Sequence, residues 1–319
     1  TAQTWHQILV NRAHRRVETD WFAPGTYTIA MNWLERNYRR ENFFLWIDTF
    51  DPHEPWDPPQ YYIDLYDPGY EGRVFDAPTY GIRKKMGITD RELQHTRARY
   101  AAEVTMVDTW FGQLLSKIER LGILDETAII FTSDHGTNFD GPGEFGAIQK
   151  VWAVGADAMC MSAGLPIKPP AQHFPLSRSV ARIPLMIHLP GMTKTKRIKP
   201  IVQPWDVTAT ILDLFGVPRP EKLIGNSLLP LISGKATRNR DVALCGTAQM
   251  AEAITDRWLY AVWRGERPAA LYDLRNDPNC VKNALAKEPS AARMLHDKIA
   301  AFVRQQGMSE DYIAGYKPQ

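Results

Sequence analysis

Two continuous apolar runs, Phe43-Phe44-Leu45-Trp46-Ile47 and Thr127-Ala128-Ile129-Ile130-Phe131-Thr132, enclose one long helical pattern, and that succession constrains the fold more than any other feature. An apolar run of strand length without alternation reads as a strand buried on both faces of a sheet. Between the runs, Thr89-Asp90-Arg91-Glu92 is a capping box that opens a helix. Leu93, Tyr100, Val104, Val107, Phe111, Leu114, Ile118 and Leu121 then form one apolar stripe, and Gly122 stands where a helix stops. Strand, helix, strand in this order is the crossover unit of a parallel sheet.

The rest of the chain fits around that unit. Gln3–Ala23 reads as an irregular polar and aromatic lead-in, and Thr26 opens a helix ending near Arg39 and Arg40. A Pro-rich loop from Pro52 to Pro59 begins a long connection between Asp48 and Gly87, of a length that is often functional. Ile183–Leu189 is a further strand, and Asp206–Phe215 a helix with Asp206 as its N-cap. Beyond Arg240 the pattern changes to short strand-like pieces, Asp241–Thr247, Glu252–Ile254, Trp258–Trp263 and Ala270–Leu274, closed by a helix over Ser290–Arg304. The expected architecture is α/β, a mostly parallel sheet sandwiched by helices over residues 1–235, followed by a small C-terminal α+β subdomain of antiparallel sheet and helix over 236–319.

Composition narrows the function classes. With 38 Lys+Arg against 36 Asp+Glu the net charge is only +2, without the basic excess of a nucleic-acid binder. No apolar run is long enough to span a bilayer as a helix. Cys160, Cys245 and Cys280 are odd in number and widely spaced, so they suggest neither a disulfide framework nor a Cys-x-x-Cys metal site. The sequence opens on Thr1 with no signal peptide, so compartment is not legible, and the start reads as an internal position of a longer polypeptide.

Chemistry-bearing residues gather at the ends of the two apolar runs. Ser133-Asp134-His135-Gly136 follows the second one directly, at the carboxyl end where ligand crevices of open sheets lie. An Asp oxygen beside an imidazole can hold a divalent cation. Equally, Asp134 can cap a turn while His135 rests on the surface. His53, in Asp51-Pro52-His53-Glu54-Pro55-Trp56, follows the first run. Flanking prolines limit its backbone, which suits proton transfer, and packing on Trp56 is the alternative. Lys150 comes after the Gly-rich stretch 141–149. It can offer a point charge to an anionic substrate or simply be solvated.

Taken together these segments resemble the sulfatase family of the alkaline phosphatase superfamily. Four blocks carry the likeness in the family's order: Phe43–Asp48 with Pro52-His53-Glu54-Pro55; Tyr100–Asp108 continuing to Gly112 and Gly122; Ile129–Gly136; and Arg182-Ile183-Pro184-Leu185, Pro190-Gly191, Asp206–Gly216, Leu271-Tyr272-Asp273-Leu274 and Asn276-Asp277-Pro278. The resemblance implies that Asp134 and His135 are metal ligands of one divalent cation, usually calcium. It implies that His53 contacts the sulfate or assists the leaving oxygen, and that Lys150 contacts substrate oxygens. A sulfated small molecule or glycan is the implied substrate.

The departures from the family are as informative. No Cys or Ser lies in a Cys/Ser-x-Pro-x-Arg motif, the source of the family's formylglycine nucleophile, and the paired aspartates that complete the cation site are absent too. The expectation is a chain lacking the family's N-terminal part, inactive alone, and completed by a complementing chain or repaired as a homo-oligomer. Two other functions stay open: a phosphonate or phosphate monoester hydrolase of the same superfamily, and a non-catalytic truncated homologue.

Overall fold

The computed structural model describes residues 2–75, 81–82, 87–137, 139, 144–145, 178–246, 250–265 and 268–317. Helix α1 (Ala2–His14) occupies the stretch expected to be irregular. Its order has a tertiary cause: Arg12 and Arg15 both reach the Asp57 carboxylate in the Pro-rich loop. Helix α2 (Phe22–Asn37) buries Ala23, Tyr27, Ala30 and Leu34, a three-to-four-residue spacing that makes one apolar face. A single turn, α3 (Gln60–Ile63), lies within the long connection. Helix α4 (Asp90–Arg120) sets Ala102, Met106, Trp110 and Leu114 against the α2 face to form the main core. Its capping box is closed as expected, with Thr89 Oγ1 accepting from the Glu92 amide at 3.2 Å and Glu92 Oε2 from the Thr89 amide at 2.7 Å. Gly122 ends it in a left-handed conformation, φ +72°, which glycine adopts without steric penalty.

Strand pairing differs from expectation. Residues 43–50 are extended, but 43–49 join no ladder among the described residues. Their burial alternates: Phe43, Leu45 and Ile47 pack on the α2/α4 core, while Phe44, Trp46 and Phe50 are 57%, 67% and 49% exposed. A continuous apolar run therefore does not mean burial on both faces here. A short antiparallel bridge joins β1 (Gly81–Ile82) to β3 (Glu144–Phe145). Strand β2 (Ile129–Thr132) pairs with β4 (Leu185–His188), antiparallel, with Ile129 opposite His188 and Thr132 opposite Leu185. No parallel ladder occurs among the described residues, so the crossover expected between the two apolar runs is not hydrogen-bonded there.

A one-turn helix α5 (Arg178–Ala181) precedes β4. Helix α6 (Pro204–Leu214) starts two residues earlier than expected, and Gln203 rather than Asp206 is its N-cap. Asp206 instead sits at the third helical position and accepts from the Gln203 amide at 2.8 Å. Fully buried, Asp206 also accepts from the Asn226 amide, Asn239 Nδ2 and the Arg240 guanidinium. It thereby ties α6 to the segment that leads into the C-terminal sheet, past the turn α7 (Leu229–Ile232).

That sheet runs β5 (Ala243–Gly246), β6 (Met250–Ile254), β7 (Trp258–Trp263) and β8 (Ala270–Asp273), all antiparallel in sequence order. Every residue of β7 is buried. Trp258, Tyr260 and Val262 face α8 (Pro289–Gln305), whose Ala292, Leu295 and Ile299 complete one core. Leu259, Ala261 and Trp263 enter a second core with Met250 and Tyr272. Each such fully buried large apolar side chain contributes about 1.5–3 kcal/mol. The final turn α9 (Glu310–Ala314) closes over Arg264, which bridges to Tyr316.

Candidate functional site

The extended segment 43–50 delivers the Asp51–Trp56 loop, whose Asp51-Pro52 and Glu54-Pro55 peptide bonds are cis. Within it the His53 amide donates to the Phe50 carbonyl at 3.0 Å, and the two rings pack with centroids 4.6 Å apart. His53 Nδ1 lies 2.7 Å from the Glu54 carbonyl. A carbonyl only accepts, so the proton belongs on Nδ1 and Nε2 is the ring's remaining functional nitrogen.

Strand β2 delivers Asp134 and His135 to the same place. The His53 and His135 rings approach edge to face with centroids 6.3 Å apart. Asp134 is held by its neighbour, Oδ1 accepting from the His135 amide at 2.8 Å. His135 Nδ1 sits 2.8 Å from the Gly136 carbonyl and so carries hydrogen, which leaves Nε2 as a lone-pair donor. That Nε2 is 3.3 Å from Asp134 Oδ2. Two ligand atoms at such a separation subtend roughly 90° at a cation about 2.3–2.4 Å from each, as neighbouring positions of a coordination shell do. The Asp134 side chain is 85% exposed, so its Oδ2 is accessible to an ion. Two donors make one edge of a shell, and among the described residues no group of three or more His, Cys, Asp or Glu comes together.

Glycine at 136 is a steric requirement. A Cβ there would lie 1.9 Å from the Ser179 carbonyl oxygen, because the 136 amide donates to the Val180 carbonyl at 2.8 Å. The Asp134–His135 turn is thus stitched to α5.

Beneath His53 the loop is fastened from three helices. The Ala23 amide at the start of α2 donates to Asp51 Oδ2 at 2.7 Å. From α4, Arg99 Nε donates to the Trp56 carbonyl at 2.8 Å, and Glu103 contacts the Asp51 carboxyl. From α1, Arg12 and Arg15 pair with Asp57. Burial pushes the Asp51 carboxyl up to about 6, with the Ala23 amide and Arg15 opposing and the Asp57 charge assisting. Burial, then the Asp51 and Asp57 charges, holds Glu103 well above the ordinary carboxylate range. Nearby, Glu18 accepts from Tyr61, Tyr62 and Trp110 Nε1 at 2.6–2.7 Å. Burial pushes its pKa up, but these three bonds together outweigh it and hold the group low.

Of the four residues expected at the site, the structure brings His53, Asp134 and His135 together, and Lys150 lies outside the described residues. No sequence motif singles out Asp51 or Glu103. The available signal is a carboxylate on the buried face of α4, between Ala102 and Met106.

Comparison with known proteins extends these observations. The sulfatase family profile matches residues 25–217, and a second profile, N-sulphoglucosamine sulphohydrolase, C-terminal, matches 174–305. An arylsulfatase of Clostridium perfringens is 26% identical over 310 residues, covering 90% of this chain and 58% of that protein. Among solved structures, a putative sulfatase from Bacteroides fragilis superposes with a TM-score of 0.67 at 20% identity, over 93% of this chain and 61% of that one. A structure in complex with its substrate D-glucosamine-2-N,6-O-disulfate matches at a TM-score of 0.55 and 21% identity, over 70% of this chain and 43% of that one. These likenesses show the alkaline phosphatase-like α/β fold, and the chain spans somewhat over half the length of the curated arylsulfatase it matches.

Proposed function

Because this chain belongs to the sulfatase family, we propose that it forms a large part of a sulfuric ester hydrolase acting on a sulfated carbohydrate or aryl sulfate. The observation that carries this is the meeting of His53 with His135 and Asp134 at the ends of two separate apolar segments. Asp134 Oδ2 and His135 Nε2 are the residues that would hold a divalent cation, calcium by family resemblance. When bound it would supply positive charge that stabilises the developing oxyanion.

His53 has its Nδ1 hydrogen anchored on the Glu54 carbonyl, so Nε2 is the atom that exchanges a proton with the sulfate or the departing oxygen. Phe50, tilted against the ring with centroids 4.6 Å apart, limits its rotation. Lys150 is assigned to substrate oxygens by the same family resemblance. Residues 1–319 contain no Cys/Ser-x-Pro-x-Arg motif, so a formylglycine nucleophile would come from polypeptide outside them. A sugar bearing sulfate is the favoured substrate class, on the likeness to the glucosamine disulfate complex.

The test is a paired assay of the complete protein on an aryl sulfate and the matching aryl phosphate, with calcium present. Sulfate turnover should dominate, and His53→Gln should lower it by about 10²–10⁴-fold, the usual worth of a positioned acid–base group. Dominant phosphate turnover, or full activity in the His53 variant, would overturn the proposal.

A further inference from the structure

The floor of the His53 loop holds two carboxyl groups that nothing in the proposed chemistry uses. Asp51 is 5% exposed and Glu103 1%. They are in contact, and Glu103 Oε2 finds no hydrogen-bond donor among the described residues. Two ionised carboxylates in a dry pocket would repel strongly, whereas one proton between them makes a short charge-assisted bond. Asp51 is already the acceptor for the Ala23 amide, so the proton belongs on Glu103, which then donates to Asp51 as its anionic partner.

We propose that Glu103 is a positioning residue for His53: protonated, it clamps Asp51 to α4 and α2 and so seats the loop that presents the imidazole. The inference rests on the role given to His53 above. The lever is short, since Asp51 is two positions before His53 and Trp56, only 1% exposed, is three positions after it. Trp56 in turn donates from Nε1 to the Pro52 carbonyl at 3.2 Å. Both ends of the loop are therefore fixed to α4, one by Glu103 and the other by Arg99.

Charged groups facing the pair among the described residues include Arg15 from α1, Arg99 from α4 itself and Asp57 from the loop, and α2 contributes the Ala23 amide. Arg15 is engaged with Asp57 at 2.8 Å, and Arg99 Nε with the Trp56 carbonyl. In an unfolded chain both carboxyls release protons near pH 4 or so, whereas the folded pair retains one. The stability it contributes is thus complete below about pH 4 and declines as pH rises through the folded titration.

Glu103→Gln keeps the shape and an N–H donor but cannot ionise, and Glu103→Ala removes both. The measurements are the His53 ring resonances by histidine-labelled NMR, assigned by their loss in His53→Gln, and urea stability from pH 5 to 8. The glutamine variant should keep the His53 resonances in place and flatten the fall of stability with pH. The alanine variant should shift and broaden those resonances and lower kcat by about 10–100-fold with KM little changed, the penalty of a misplaced group. His53 resonances unmoved in a folded alanine variant, or a glutamine variant with the wild-type pH slope, would overturn the proposal. Should the alanine variant fail to fold, the glutamine pH profile decides alone. Because neither NMR nor stability depends on turnover, a failed sulfatase assay leaves this test intact.

Discussion

Asp134 Oδ2 and His135 Nε2 lie 3.3 Å apart, adjacent residues whose side chains turn back toward one another. Their other polar atoms are already engaged by local backbone, Oδ1 with the His135 amide and Nδ1 with the Gly136 carbonyl. Asp134→Asn and His135→Gln should each weaken calcium binding by at least about tenfold, since loss even of a group behind the ligands costs that much. Isothermal titration of the complete protein with calcium checks this, and unchanged affinity in both variants would remove the pair from the proposed cation site.

Gly136→Ala tests the stitch between that turn and α5. The new Cβ would meet the Ser179 carbonyl at 1.9 Å, a backbone atom that cannot rotate away. Overpacking of this kind costs about 1–3 kcal/mol, and the Asp134–His135 edge should move with it. Urea denaturation reads the first effect and calcium titration the second.

Arg240 approaches Asp206, which is fully buried. Arg240→Met leaves a buried carboxylate with three neutral donors in place of a charged one. A loss of about 2–4 kcal/mol is expected, toward the lower part of the range for breaking a buried ion pair because those donors remain. A midpoint unchanged in chemical denaturation would show that the pair contributes little.

Acid should loosen the start of α4. Glu92 is held down to about 2, first by its side-chain bond to Arg73 and then by the Thr89 amide and hydroxyl. A carboxylate with a depressed folded pKa stabilises fully above its unfolded value near 4.5 and loses that contribution as pH falls toward 2. Glu92→Gln should therefore show a shallower decline in stability than wild type between pH 4.5 and 2.5 or so, followed by circular dichroism.

Sequence made α4 legible because three local signals agree there: the Thr89 box, the apolar stripe and the left-handed Gly122. The β5–β8 sheet was legible for a similar reason, turn residues separating short apolar runs, and its four strands pair antiparallel in sequence order. Residues 43–50 were not. Their composition is the same whether both faces are buried or alternate side chains stay wet, and partners in a ladder are set by distant chain. Helix α1 was missed because its order comes from Arg12 and Arg15 meeting Asp57, a contact no local pattern announces. At the site, His53 and the Asp134–His135 pair were legible from their places after apolar runs. The Asp51–Glu103 floor was not, since nothing local shows that residues so far apart in sequence share one dry pocket.

The stretched ribbon from Phe43 to Thr49 has a consequence for how the polypeptide handles. Its amides have no backbone acceptor among the described residues, so deuterium should enter them far sooner than it enters β7, where a ladder runs on both sides. A row of peptide groups that join no ladder among the described residues, beside the exposed Phe44 and Trp46, is also adhesive. Whatever chain lies against that ribbon, whether kin or stranger, would be gripped by main-chain bonds before any side chain had a say.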